Sequence, residues 1–195
     1  MSLLNAYITI IRLAFIVLSA FHIYKREFKY ILSTGIVYIL TYLPQVLRRF
    51  FHIRMDLLGN LLYITIIVMT IYLGNVLQFY NRYRWWDQLI HFLSGITFVS
   101  FGVAISMNQA VLNRFHILFF SLTLSITLHV VWEVLEYVFD CIFHTDNQRW
   151  QKVSASKNHL SQSAIQPAGL VDTMNDTIFC IVGTVVSCIV WWFVL

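Results

Sequence analysis

Six long apolar runs fill most of this chain and leave too little polar surface for a water-soluble fold. A helix that crosses a membrane needs about 20 consecutive, mostly apolar residues. The runs fall at roughly 4–24, 28–47, 57–79, 87–107, 115–142 and 171–195. They are continuous, without the alternation of membrane-barrel strands, so they read as helices. Charged residues make up 11% of the 195 positions, against about 25% in an ordinary soluble domain. The expected fold is all-α, a polytopic transmembrane helical bundle of about six spans. It forms one integral membrane domain over 1–195, with no internal repeat.

The formal net charge is +4. Most Lys and Arg sit between the apolar runs, as juxtamembrane charges do. No basic stripe interleaved with aromatics points to nucleic acid, so membrane lipid is the expected partner. Cys141, Cys180 and Cys188 have no regular spacing, which argues against a disulfide framework or a Cys-based zinc motif. The N-terminus lacks a basic leader region and reads as a retained first span. The long polar segment 144–170 separates spans five and six, and Pro167 and Gly169 form a stop before span six.

The side of the membrane carrying that segment also carries the turns near 25–29 and 80–86. Its basic residues are Lys25, Arg26, Lys29, Arg82, Arg84, Arg149, Lys152 and Lys157; the other side has Arg48, Arg49, Arg54 and Arg114. The positive-inside rule makes the loop side cytoplasmic and puts both termini outside. Arg12, inside span one, reads as a snorkelling residue or a partner of Asp56.

The acids carry most of the functional signal. Of nine Asp and Glu, six lie at the loop-side ends of spans four, five and six. Span four opens WWDQLIHFLSG, with Asp87 and His91 at i and i+4. Span five closes HVVWEVLEYVFD, with His129, Glu133, Glu136 and Asp140. Span six opens VDTMNDTIFCIVG, with Asp172, Asn175 and Asp176. Residues three or four apart share a helix face, so each span presents one polar stripe, and all three stripes fall in one leaflet. At ~1.5 Å rise per residue, His91 lies about 6 Å deeper than Asp87, and Glu133 about 10 Å deeper than Asp140. Singly, each residue has an ordinary explanation: an acid at a span end touches interfacial water, and a lone histidine bonds a neighbouring helix. Together they are costly, at least ~2.5–3.5 kcal/mol per ionised carboxylate at membrane depth. They also repel one another, so some must bind protons or a cation.

Asp, Glu and His without Cys suit Mg²⁺, Mn²⁺ or Zn²⁺, and i, i+3 or i, i+4 spacing lets two side chains of one helix reach one ion. The expected ligand or acid–base set is Asp87, His91, Glu133, Glu136, Asp172 and Asp176, with His129, Asp140 and Asn175 behind it. Glu133, Glu136 and Asp87 are the candidates for catalysis. Arg82, Arg84, Arg149 and Lys152 could face an anionic head group or phosphate, although plain positive-inside topology also accounts for them. The leading expectation is a metal-dependent membrane enzyme acting on a lipid head group or lipid-linked phosphate. A proton- or cation-coupled transporter for a small solute is the alternative, although a site confined to one leaflet differs from the midplane sites of alternating access. An accessory subunit whose acids only hold helices together is the third. Gly95 and Gly102 read as close helix contacts, Trp85–Trp86 and Trp191–Trp192 as interfacial belts, and Trp132 as packing.

The ordered motifs WWDQLIHFLSG, WEVLEY and GLVDTMNDTIFCIVG resemble the YjdF-like family of small bacterial inner-membrane proteins over about residues 80–185. That resemblance implies a polytopic helical inner-membrane protein. The pattern is also distantly similar to the VanZ-like family, with Asp87, His91, Glu133, Asp172, Asp176 and Gly183 in the matching places. It departs in carrying Glu136 where that pattern usually has Gln. The second likeness implies a role at the cell envelope.

Overall fold

The computed structural model describes residues 3–107, 113–148 and 167–195, and those residues contain helices and no strands. In chain order the helices are α1 (Leu3–Lys25), α2 (Phe28–Leu40), α3 (Leu43–Phe50), α4 (Leu57–Ile67), α5 (Phe79–Arg82), α6 (Trp86–Ser106), α7 (Arg114–Phe143) and α8 (Ala168–Val194). A π-helical stretch, Val68–Val76, continues α4. Six helical spans are long and apolar enough to cross a membrane: α1, α2 with α3, α4 with the π stretch, α6, α7 and α8. The expected spans are all present, with shifted ends. Span three stops at Val76, not near 79, and span six begins at Ala168, so Gly169 lies inside its first turn. Pro167 is the N-cap there, a place where a residue without an N–H costs nothing.

Span two is broken in a way the hydropathy did not reveal. Pro44 has no N–H to give the Leu40 carbonyl, and α2 ends at Leu40. In a membrane the freed carbonyls need other donors. The Tyr63 hydroxyl of α4 donates to Leu40 O at 3.1 Å. Arg12 of α1 donates through Nη2 to Thr41 O at 3.1 Å and through Nε to Thr41 Oγ1 at 2.9 Å. Its guanidinium also lies 3.6 Å from the Tyr42 ring centroid. Arg12 thus serves the break in span two and not Asp56, whose carboxylate caps α4 by accepting from Leu58 N and Gly59 N.

The N-terminal spans close on a second polar contact at the loop-side end. Buried His22 meets Glu27 Oε2 through Nδ1 at 2.7 Å and the Tyr72 hydroxyl through Nε2 at 3.4 Å. Tyr72 stands on the π stretch, so the wider turn takes part in the contact.

Helix α6 is the centre of the molecule. Of its most apolar window, 56% is buried inside the protein, against 11% for α1. It packs most extensively on α8, then on α7, and reaches the N-terminal spans through α4. Two of its glycines make the close approaches possible. A Cβ at Gly95 would strike the Cys180 carbonyl and the Thr184 nitrogen of α8, and one at Gly102 would strike Ser121 of α7. In return, a Cβ at Gly183 of α8 would strike the Phe92 carbonyl. Ser125 of α7 and Thr184 of α8 share a hydroxyl–hydroxyl bond of 2.7 Å beneath this contact. Large apolar side chains such as Phe119, Val131, Leu135, Ile178 and Val186 point outward, towards lipid. Such a core of small residues and buried hydroxyls is how helices associate where burial of apolar surface gives no advantage.

These contacts predict opposite outcomes for two glycine substitutions. Gly183→Ala forces α8 off α6 and should lower stability in detergent by about 1–3 kcal/mol. Gly35→Ala, whose Cβ would meet nothing within 4 Å, should raise it by up to about 1 kcal/mol, since alanine is the better helix former. Thermal unfolding of both variants beside the wild type reads the difference.

Candidate functional site

The loop-side ends of α6, α7 and α8 bring five of the expected side chains together. Asp87 and His91 stand one turn apart at the start of α6, and His91 Nε2 lies 3.5 Å from Asp87 Oδ1. The same nitrogen lies 3.8 Å from Asp176 Oδ2 of α8. On α7, His129 Nε2 lies 3.7 Å from Glu133 Oε1 one turn on. The two imidazoles meet edge to face, with ring centroids 5.2 Å apart. His91, His129, Glu133 and Asp176 are each no more than 7% exposed, and the Asp87 side chain is 13% exposed.

Two groups of three here could hold a metal ion: His91, His129 and Glu133, and Asp87, His91 and Asp176. In each, one ligand atom per residue lies within 4.8 Å of the others. Around a tetrahedral ion with bonds of about 2.0–2.1 Å, neighbouring ligand atoms stand about 3.3 Å apart. The contacts of His91 need to shorten by only a few tenths of an ångström to reach that spacing.

Glu133 is the most unusual member. Neither carboxylate oxygen has a hydrogen-bond partner among the described residues, although both are buried. The Thr173 hydroxyl lies alongside without meeting hydrogen-bond geometry. A buried carboxylate ordinarily accepts several bonds, and one left without them costs several kcal/mol or more. Its lone pairs remain available to a cation or a proton.

The other expected residues take different places. Glu136 sits half-buried one turn further towards the loop, close enough to Glu133 for the two charges to repel. It accepts a 2.7 Å bond from the Trp132 indole N–H. Trp132 is 46% exposed on the outer face of α7, so it is a donor to Glu136 and not the packing residue the sequence suggested. Asp172 is half-buried a turn before Asp176 and adds negative charge beside it. Asn175, also half-buried, lies outside both groups of three. Asp140 does not join the cluster. It accepts from Thr145 Oγ1 at 2.7 Å, Asn147 N at 2.8 Å and Gln148 N at 3.0 Å, and so ties down the chain leaving α7. Arg82 ends α5 and Arg84 follows it, both exposed just before α6. Arg149, Lys152 and Lys157 lie outside the described residues.

Sequence reasoning missed two neighbours of the cluster and misplaced one tryptophan. Thr177 contacts His129 Nε2 at 3.1 Å, and its place one residue after Asp176 was the available signal. Thr173 receives a 3.3 Å bond from Gln148, which joins the chain after α7 to α8. Trp86 is 6% exposed and packs edge-on against Phe79 at 4.9 Å, while Trp85 alone has the 53% exposure expected of an interfacial belt. At the opposite end, a shallow groove between α7 and α8 is lined by apolar residues such as Leu118, Leu122 and Ile189 and has no polar chemistry.

The sequence as a whole matches one family model, over residues 4–195. The chain belongs to the DUF2238 family of predicted membrane proteins. No curated protein and no solved structure matches it. The family description agrees with the helical membrane architecture and is broader than the YjdF-like and VanZ-like likenesses, which rest on the three motifs alone.

The two kinds of carboxylate in this DUF2238 chain should respond oppositely to neutral replacements. In metal-free protein, Glu133→Gln relieves a buried, unbonded charge and should raise stability by about 1–3 kcal/mol. Asp140→Ala removes three hydrogen bonds and should lower it by a similar ~1–3 kcal/mol. Thermal melts in the presence of a chelator compare them directly.

Proposed function

We propose that this DUF2238 protein holds a divalent cation between α6, α7 and α8 and is a metal-dependent membrane enzyme. Its substrate would be a lipid head group or lipid-linked phosphate. The observation that carries the reading is the buried, unbonded Glu133 carboxylate beside His91, His129, Asp87 and Asp176. Three acids at one buried place repel each other, and a cation is the simplest partner that lets them stay ionised. Imidazole with carboxylate suits Zn²⁺ or Mn²⁺, while Mg²⁺ prefers oxygen donors alone. A bound ion would supply Lewis-acid polarisation of a phosphoryl or carbonyl oxygen. Glu133, or Glu136 nearer the loop, would accept a proton. Arg82 and Arg84, exposed before α6, suit a phosphate arriving from the head-group layer. The site would open to the cytoplasmic side of a bacterial inner membrane, following the positive-inside bias.

One feature favours a second reading. The edge-on contact of His91 with His129 sets Asp87, Asp176 and Glu133 in a series of titratable groups, each carboxylate 3.5–3.8 Å from a histidine Nε2. Such a series also suits a proton- or cation-coupled transporter.

Elemental analysis separates the two. Wild-type protein purified in detergent without chelators should carry near-stoichiometric Zn or Mn, and Glu133→Ala/Asp176→Ala should lose it. Metal-free wild type that remains so after incubation with Zn²⁺, Mn²⁺ or Mg²⁺ would sink the enzyme reading. Glu133-dependent flux in proteoliposomes would then establish the transporter.

A further inference from the structure

We infer that the end of the bundle opposite the polar loop binds an anionic phospholipid, its phosphate on Arg114 and one acyl chain in the groove between α7 and α8. The site lies at the other end of these helices from the metal-site reading above and does not depend on it.

The distribution of charge points to that end. Eight of the nine acids, all except Asp56, lie on the loop side and equal in number the Lys and Arg there. The opposite end has Arg48, Arg49, Arg54 and Arg114 against Asp56 alone. The Asp56 carboxylate is already taken up in capping α4. With Arg12 beneath it, this end therefore carries the whole formal charge of +4. A cationic surface at a bilayer attracts acidic lipids.

Arg114 turns that general attraction into a place. It is exposed at the start of α7, and its guanidinium stands 5.4 Å from the ring centroid of Trp192 on α8. Among the described residues it has no carboxylate partner. A guanidinium beside an aromatic ring keeps its N–H fork, which matches a phosphate. Trp192 also lines the apolar groove, with Leu118 and Leu122 of α7 and Cys188 and Ile189 of α8. An adjoining hollow that shares Trp192 reaches Phe115, next to Arg114. The groove thus descends from the cation towards the bilayer interior, the direction an acyl chain takes below its phosphate.

Its dimensions select the occupant. From Val185 to Phe193 it follows α8 for about 12 Å, and its volume is about 330 Å³. The mean cross-section is then roughly 30 Å², against roughly 80 Å² for a helix 10 Å across. That is a slot for a hydrocarbon chain and not for a helix of a second copy. Burial gives such a chain no advantage over the surrounding lipid, so a preference for acidic lipid has to come from Arg114.

Native mass spectrometry of full-length, delipidated protein in detergent tests the site. The probes are phosphatidylglycerol and phosphatidylcholine with identical acyl chains. Wild type should hold one phosphatidylglycerol at least about fivefold more tightly than phosphatidylcholine, and Arg114→Gln should remove most of that preference. Arg54→Gln, at the same end but not lining the groove, should keep it. Ile189→Trp fills the groove from an exposed position and should weaken both lipids. No preference in wild type, an unchanged preference in Arg114→Gln, or an equal loss in Arg54→Gln overturns the inference. Phosphatidylglycerol bound by Ile189→Trp as tightly as by wild type removes the chain from the groove. A dimer that Ile189→Trp disperses makes a second copy the occupant, and either result also overturns it.

Discussion

The backbone-to-backbone approach of α6 and α8 fixes the arrangement of everything at the loop-side end. Gly95 lies on the Cys180–Thr184 turn, and Gly183 lies on Phe92. Both helices run away from the loop side, so stepping back four residues on each leads from Gly95 to His91 and from Cys180 to Asp176. That is one turn of each helix, and it brings His91 Nε2 to 3.8 Å from Asp176 Oδ2. A side chain at either glycine would separate the helices along this whole seam. The polar cluster therefore depends on residues that take no part in its chemistry. The hydroxyl pair of Ser125 and Thr184 sets α7 against the same seam, and from there His129 and Glu133 reach the cluster.

Membrane burial turns hydrogen-bond bookkeeping into a guide to function. No water is at hand in the hydrocarbon, so each polar group must find a partner within the protein. Span two shows how thoroughly that demand is met. Pro44 interrupts it, and the carbonyls of Leu40 and Thr41 are taken up by Tyr63 and Arg12. Asp56, Asn113 and Asp140 likewise bond to backbone N–H groups at helix ends. Against that background, the two Glu133 oxygens, which with the Trp86 indole nitrogen are buried without a hydrogen-bond partner among the described residues, stand out because they are a carboxylate. The fold supplies donors elsewhere, and nothing in helix packing calls for a carboxylate at that point.

Much of this was legible in the sequence, because period and depth are properties of a helix before it packs. The i, i+4 spacing of Asp87 with His91, and of His129 with Glu133, put each pair on one face. The alternation of spans put the ends of α6, α7 and α8 on one side. What spacing does not encode is rotation about the helix axis. Glu136 shares the stripe of Glu133, yet it turns to the rim and bonds Trp132. Asp140, at the end of the same stripe, is drawn to the N–H groups of Asn147 and Gln148. A carboxylate at a helix C-terminus has local donors to choose from, and no pattern within α7 could reveal that choice. The break in span two was hidden for a related reason. Hydropathy measures transfer to lipid, and Pro44 hardly alters it, although proline removes the N–H that a continuous helix would need.

The strongest contrast lies between two clusters built from the same residue types. At the loop-side end of the N-terminal spans, His22 has Glu27 on one ring nitrogen and Tyr72 on the other. The carboxylate orients the imidazole, the imidazole meets the hydroxyl, and both nitrogens are engaged. That cluster is complete, and its effect is to hold α1, the turn after it and the π stretch together. In the C-terminal spans, His129 is engaged by Thr177, while Glu133 beside it has no hydrogen bond among the described residues and His91 Nε2 lies 3.5 and 3.8 Å from two acids. Histidine and glutamate buried in a membrane protein do not by themselves distinguish support from chemistry. A closed set of partners marks the first, and a set that needs one more positive charge marks the second. By that criterion the functional centre we propose for this DUF2238 protein lies among α6, α7 and α8, and the spans before them contact α6 through α4.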